Sequence, residues 1–346
     1  MSRIQLDRQR GVNPPSVYFS YEYGTAGLSG GASWVCLHDE TGAWQLPVIL
    51  APIGESGRYE ATSPYGYTGI RISPSVSPDD SVALWAEAVE RLREIGVVSL
   101  FLRFAPFDPV SAERSGVLDG IALRHASHTV LVPTIAEEQV WSGMRGRART
   151  SVRKAKASGL TARFEAVRPH HVAPGSPFRR LYAETMDRVG AASHYHFTDE
   201  YFESLASDLC DELYIASVDD ASGDTVAASL VLADSRTMHY HLSGSTPAGA
   251  RAGANNLLIW HILTSAIAHG RGQVHLGGGV TPNDSLFAFK SAFGGDVVPF
   301  FVGSSVIDPV AYGDLVRLRA EELGTPAARL LESDYFPAFR AGTVSA

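Results

Sequence analysis

The chain has 346 residues, 45% of them apolar and 19% charged, with a formal net charge of -8. That length exceeds one ordinary core, at roughly 150 residues per domain, and predicts two. The acidic balance excludes a surface built as a whole for DNA or an anionic membrane, so any polyanion must meet a local basic patch.

Residues 1–15 are polar, with Arg3, Arg8 and Arg10 in place of the apolar core of a secretory signal. Ser33 to His38 and Trp44 to Ala51 read as strands, followed by a glycine-aromatic loop, Ser63 to Gly69. Asp79 and Asp80 open a helix through Glu94 whose Trp85, Ala88, Val89 and Leu92 fall at core spacing, and Val97 to Phe104 is a buried strand. His128 to Val132 is another apolar strand, after which Thr134 and Glu137 make a capping-box pattern at the head of a long helix. Beyond Gly159 come a strand (Leu160 to Val167), helices at Phe178 to Val189 and Asp199 to Leu209, and strands at Leu213 to Val218, Thr225 to Ala233 and Thr237 to Leu242. Alternation along Thr225 to Leu232 and turn residues Asp219, Asp220 and Gly223 predict an antiparallel meander. A helix from Ala254 to His269 leads into a strand at Val274 to Leu276, three glycines, a polar loop and a short helix stopped by Gly294 and Gly295. Asn283, Asp284 and Ser285 are its N-cap candidates, and Leu286, Phe289 and Phe293 its anchoring face. The fold class is α/β (α+β) with mixed sheets. The expected domains are 1–135, completed by 306–346, and 136–305. No uninterrupted apolar run approaches the roughly 20 residues of a membrane span. Cys36 and Cys210 match no metal or redox spacing, so a reduced cytoplasmic setting is expected, with no metal and no bound cofactor.

Five features carry chemistry. Lys290, between Phe289 and Phe293, is either a solvated lysine on an amphipathic helix or an ammonium group set to stabilise an oxyanion beside an apolar surface. Arg145, Arg149, Arg153 and Lys156 form a stripe with no acid between Glu138 and Glu165, either a cradle for phosphates or a solvated face. Trp141, Met144, Ala148, Val152 and Ala155 make the core stripe beside it. In Ser63 to Gly69, Tyr65, Gly66 and Tyr67 either close over a polar ligand or pack as a tight turn. Arg103, at the end of an apolar strand, meets an anion or a nearby carboxylate. His239 with His241, and His194 with His196, share a face if extended, but neither pair has a third metal ligand at convincing spacing.

The order of helices, antiparallel strands, helix and further strands resembles an N-acetyltransferase-like (GNAT) domain, a plan both halves can carry. In acyl-CoA-dependent members the turn corresponding to Gly249 to Asn256 holds pyrophosphate on backbone amides; Arg251-Ala252-Gly253-Ala254 matches that signature imperfectly, with Ala250 three residues before Gly253. The chain resembles in particular the Fem family of tRNA-dependent aminoacyltransferases, which have two GNAT-like domains. The resemblance rests on the Ser63 to Gly69 loop, Arg149, Arg153, Lys154 and Ala155 before Gly159, Tyr240 with Ser243 and Ser245, Asn255 to Trp260, Gly277 to Gly279, Phe289-Lys290 and Phe293-Gly294. It implies transfer of an amino acid from aminoacyl-tRNA, as co-substrate, to an amine of a peptidoglycan precursor or peptidyl natural product. Lys290 matches the family lysine that stabilises the tetrahedral intermediate, Phe289 its aromatic neighbour, and Tyr240 a tyrosine lining the acceptor cleft; Ser243, Asn255 and Gly278 lie in the same matching segments. A second family tyrosine, two residues after the first, is here Leu242. Arg188 is a candidate for an acceptor-phosphate arginine. The competing readings are an acyl-CoA-dependent N-acyltransferase on a small amine and a non-catalytic binding module.

Overall fold

Strands in chain order are β1 (Ile4–Asp7), β2 (Ser33–Asp39), β3 (Trp44–Pro52), β4 (Tyr59–Thr62), β5 (Arg71–Ile72), β6 (Val97–Arg103), β7 (Ala122–Pro133), β8 (Thr161–Ala166), β9 (Leu213–Asp219), β10 (Thr225–Ala233), β11 (Thr237–Ser245), β12 (Gln273–Gly278) and β13 (Asp296–Val306). The computed structural model describes residues 3–9, 12–279, 281 and 284–342. It forms two units, Met1–Ala126 with Phe300–Ala346, and Ser127–Pro299, and the chain passes between them within β7 and within β13.

In the first unit the order is β1-β2-β3-β4-β6-β13, with β5 beside β3. All neighbours are antiparallel except β4 and β6, which run parallel. Helix Pro78–Glu94 starts where the Ser77 hydroxyl accepts from the Asp80 amide, with proline in the first turn and Asp79 and Asp80 complementing the helix dipole. Its Leu84, Trp85, Ala88 and Leu92 are buried with Trp44, Leu46, Val48, Leu100 and Leu102 of the strands. A second apolar cluster joins Val98 of β6 to Ala311, Tyr312 and Val316 of helix Pro309–Leu323.

The second unit has the order β7-β12-β11-β10-β9-β8, again antiparallel apart from one parallel pair, β11 with β12. Helix Ala254–Ala268 buries residues around most of its circumference, because it lies between the sheet and helix Gly146–Ala157. Helix Pro177–Arg188 approaches β11 so closely that a Cβ on Gly244 would sit 2.3 Å from the backbone of Leu181.

The long helix expected after Thr134 is two helices, Glu137–Gly143 and Gly146–Ala157, broken at Met144 and Arg145, which are both extended. The Thr134 hydroxyl does not cap it; it donates to the Arg271 carbonyl at 2.6 Å, and the N-cap residue is Ala136.

Candidate functional site

The parallel pairing of β11 and β12 covers three residue pairs, Thr237 with Gln273, Met238 with Val274 and His239 with His275. Beyond them, among the described residues, each strand pairs only with its outer neighbour, β11 with β10 and β12 with β7. The two strands therefore part toward their carboxyl ends, where open α/β sheets bind ligands. On the β12 side, Gly277 takes φ +73, and a Cβ on Gly278 would stand 2.6 Å from the His128 carbonyl oxygen. Only glycine serves these positions without strain. A side chain at Gly279 would collide with the Asp284 carboxylate, 2.2 Å from Oδ1.

That carboxylate builds the next element. Asp284 accepts from the Phe287 amide at 2.8 Å and the Thr281 amide at 3.0 Å, which starts the helix Ser285–Lys290. Of the three candidate caps Asp284 is the one used; Asn283 lies outside the described residues. Phe287 and Phe289 pack on the core and Phe293 is fully buried, with Phe289 edge-on to Phe293 at 5.4 Å. Leu286, expected among the anchors, is instead 39% exposed, because the Asp284 cap rotates the short helix to present Phe287 inward.

Lys290 ends this helix and is 8% exposed. Its Nζ donates to the Gly278 carbonyl at 2.7 Å and lies 5.7 Å from the centroid of the Tyr240 ring, within cation–π range. Burial pulls the ammonium down to about 8, against the opposing charge of Asp284. Among the described residues no carboxylate lies within ion-pair distance of it. It is thus a desolvated cation held by one neutral carbonyl, free to exchange that oxygen for another.

Tyr240 is held as a neutral phenol, since burial raises it to about 12 against a hydrogen bond with Ser243. Two residues three apart share a face because β11 bulges here: Leu230 faces Leu242 but Val231 faces Tyr240. The residue that joins Tyr240 is therefore Ser243, not position 242, where the Fem resemblance implies a second tyrosine. Ser245 closes the strand: its Oγ accepts from Asn255 Nδ2 at 3.1 Å and its carbonyl from Arg188 at 2.9 Å. Asn255 and Arg188 thus hold the strand end, and neither is bonded to Lys290 or Tyr240.

The basic helix divides by role. Arg149 donates through Nη1 to the carbonyls of Trp141, Ser142 and Met144, capping the preceding helix. Arg153 lies 5.1 Å over the Trp141 ring, which meets Trp260 edge-on at 4.8 Å. Arg145, Arg153 and Lys156 are exposed and, among the described residues, pair with no carboxylate. The stripe reading missed Arg147, which donates to the Ala288 carbonyl at 3.1 Å, while the Arg145 amide donates to Ala292 at 2.8 Å. These two bonds tie the basic helix to the lysine helix. Arg147 lies outside the i, i+4 spacing that marked the stripe.

Tyr65, Gly66, Tyr67 and Arg103 belong to the first unit. His239 Nε2 lies 3.2 Å from Asp234 Oδ2 and His241 Nε2 3.0 Å from the Tyr201 hydroxyl, and no group of three or more metal-ligating side chains occurs among the described residues. No helix among those residues is long and apolar enough to cross a membrane.

The turn Gly249 to Asn256 joins two helices, Pro247–Ala252 and Ala254–Ala268, at Gly253. In the first of them the Ala250 amide donates to the Thr246 carbonyl and the Gly253 amide to the Ala250 carbonyl. Gly253, at φ +93, would place a Cβ 2.7 Å from the Ser151 carbonyl oxygen, so the basic helix lies directly against this turn.

Comparisons agree with this architecture. Residues 142–291 match the family model of the acetyltransferase (GNAT) domain. The fold is similar to the crystal structure of FemX (TM-score 0.66, 12% identity, 84% of this chain and 92% of that chain covered). It is also similar to the C-terminal domain of a putative lysylphosphatidylglycerol synthetase from Agrobacterium fabrum (TM-score 0.53, 17% identity, 80% and 84% covered). A third similar structure is L-PGS from Bacillus licheniformis (TM-score 0.51, 12% identity, 78% and 83% covered). No curated protein sequence matches the chain.

Proposed function

We infer, from a chain whose residues 142–291 match the GNAT domain model and whose fold is similar to that of FemX, that this acyltransferase moves an amino acid from aminoacyl-tRNA to an acceptor amine. Its acceptor is an amine of a peptidoglycan precursor or a peptidyl natural product, the chemistry implied by the Fem resemblance. The observation that carries the reading is Lys290, a buried ammonium that donates to the Gly278 carbonyl where β11 and β12 part and, among the described residues, pairs with no carboxylate.

The reaction needs little from the protein beyond orientation and charge. The aminoacyl ester is already activated: the acceptor nitrogen forms a bond to the ester carbonyl carbon, the carbon–oxygen bond breaks, and the proton shed by the amine ends on the departing tRNA hydroxyl. Lys290 exchanges the Gly278 oxygen for the oxyanion that develops in between. A preorganised donor of this kind is worth on the order of 3–4 kcal/mol of barrier. Tyr240, a neutral phenol beside the lysine, shapes the acceptor side, and Phe289 keeps water from the ammonium. Arg145, Arg153 and Lys156, exposed and paired with no carboxylate among the described residues, offer the tRNA its phosphate contacts.

The GNAT match also supports an acyl-CoA donor. Against it stands the imperfect signature of the turn, in which Ala250 occupies the place three residues before Gly253. Incubation with a mixed pool of charged tRNA and candidate amines, followed by mass spectrometry, separates the two. Products one amino acid heavier that vanish after ribonuclease treatment are expected; product formed from an acyl thioester in ribonuclease-treated protein would overturn the tRNA reading.

A further inference from the structure

We propose that the first unit carries an oxyanion-binding site of its own, in which the Arg103 guanidinium takes a carboxylate or phosphate and the rings of Tyr65, Tyr67 and Phe300 hold the apolar group beside it. This goes beyond the transfer reading and stands or falls without Lys290.

Arg103 is the last residue of β6, in the unit's one parallel pair, where it is half-buried. Its guanidinium lies 6.0 Å over the Tyr65 ring; among the described residues it has no carboxylate partner and donates no hydrogen bond. Other arginines nearby are satisfied: Arg71 is paired with Asp108 and Arg340 with Glu60. A half-buried guanidinium beside an aromatic ring presents a fork of donors that a planar oxyanion satisfies in pairs.

The surroundings fix that fork in place. The Arg103 amide donates to the Ser63 hydroxyl at 3.0 Å, and its carbonyl accepts from the Thr68 amide at 2.9 Å, so the loop carrying the tyrosines is fastened to the strand on both sides of the residue. The Tyr23 hydroxyl holds the Tyr65 carbonyl at 2.8 Å. Gly66, at φ +105, runs so close to Tyr18 that a Cβ would come within 2.5 Å of the ring, leaving no room for the loop to shift. Tyr67 stands edge-on to Phe300 at 5.3 Å and to Tyr18 at 5.7 Å. Tyr18 is buried whereas Tyr65, Tyr67 and Phe300 are part-exposed, so the arrangement has an aromatic floor and an accessible rim. A site of this form recognises a ligand ending in an oxyanion with an apolar or planar group next to it.

The test titrates the full chain, by ligand-observed NMR, with N-acetylphenylalanine, its carboxamide and phenyl phosphate. Saturable binding of at least one acid probe is expected, with the carboxamide weaker by about tenfold or more; which acid binds more tightly identifies a carboxylate or a phosphate ligand. Arg103→Gln should reduce acid binding to the level of the carboxamide, Arg103→Lys should keep part of it, and Lys290→Ala should leave it unchanged. Equal binding of acid and carboxamide, undiminished binding by Arg103→Lys and Arg103→Gln alike, or no saturable binding of any probe would overturn the proposal.

Discussion

Burying an ammonium group is expensive, and Lys290 shows where that expense falls. Its buried amine sits near 8 rather than the ordinary lysine value of 10.5. Between those two values the unfolded chain still binds the proton that the folded chain has released, so stability rises with pH across that window. Below about pH 8 both states are protonated and the full penalty, about 3 kcal/mol, weighs on the fold. Lys290→Met, of similar length and without charge, is therefore expected to be more stable than the native chain by about 1–3 kcal/mol at pH 7. The gain should shrink as pH rises above 8. Urea denaturation of both proteins from pH 6 to 10.5 checks this; parallel stability curves would show that the lysine is not desolvated. A residue that weakens its own fold at neutral pH is one whose charge serves something other than stability.

Among the elements, helix Gly146–Ala157 separates charge that builds from charge that binds. Arg149→Gln removes the donor to three carbonyls and is expected to lower stability by about 1–2 kcal/mol, visible as a lower melting temperature, while Arg153→Gln combined with Lys156→Gln should leave melting nearly unchanged. The double variant should instead weaken binding of charged tRNA and flatten its salt dependence by about one to two units of slope, measured by filter binding across a salt series. An unaltered slope would remove this helix from the RNA interface. Strands and helices were largely legible from the sequence, because apolar runs such as Val97 to Leu102 and the 3.6-residue spacing of Leu84, Trp85, Ala88 and Leu92 are local signals. The helix break at Met144 and Arg145 was not, because the apolar spacing of Trp141, Met144 and Ala148 runs through it, although Gly143 and Gly146 flank it. It depends on partners remote in sequence, above all the Ala292 carbonyl that takes the Arg145 amide. At the candidate site, Lys290 and the three glycines stand out by residue type and spacing, Asp284 is one of three cap candidates, and Tyr240 comes from the Fem resemblance. The pairing of Tyr240 with Ser243 could not be read, because the bulge that creates it exists only in the register between two strands. Arg188 and Asn255 have the chemistry of ligand contacts, yet both are spent on Ser245.

At the scale of the whole molecule, two units share one device: a single parallel strand pair in an otherwise antiparallel sheet, with a cation at or near its carboxyl end. In the first unit that cation is Arg103, in the second Lys290, and the GNAT match covers only the second. Under the proposed function a chain of net charge -8 meets tRNA through a local surface, supplied by Arg145, Arg153 and Lys156, which pair with no carboxylate among the described residues. The fold similarity to FemX extends over 84% of the chain, yet identity is 12%, so chemistry has to be argued from the site itself. Single-turnover transfer from charged tRNA to an acceptor amine, compared between the native chain and Lys290→Ala at pH 7, tests that argument most directly. Loss of at least about 10²-fold in rate, with tRNA binding and circular dichroism unchanged, is the result this mechanism predicts. Transfer by Lys290→Ala at a rate close to native would contradict it.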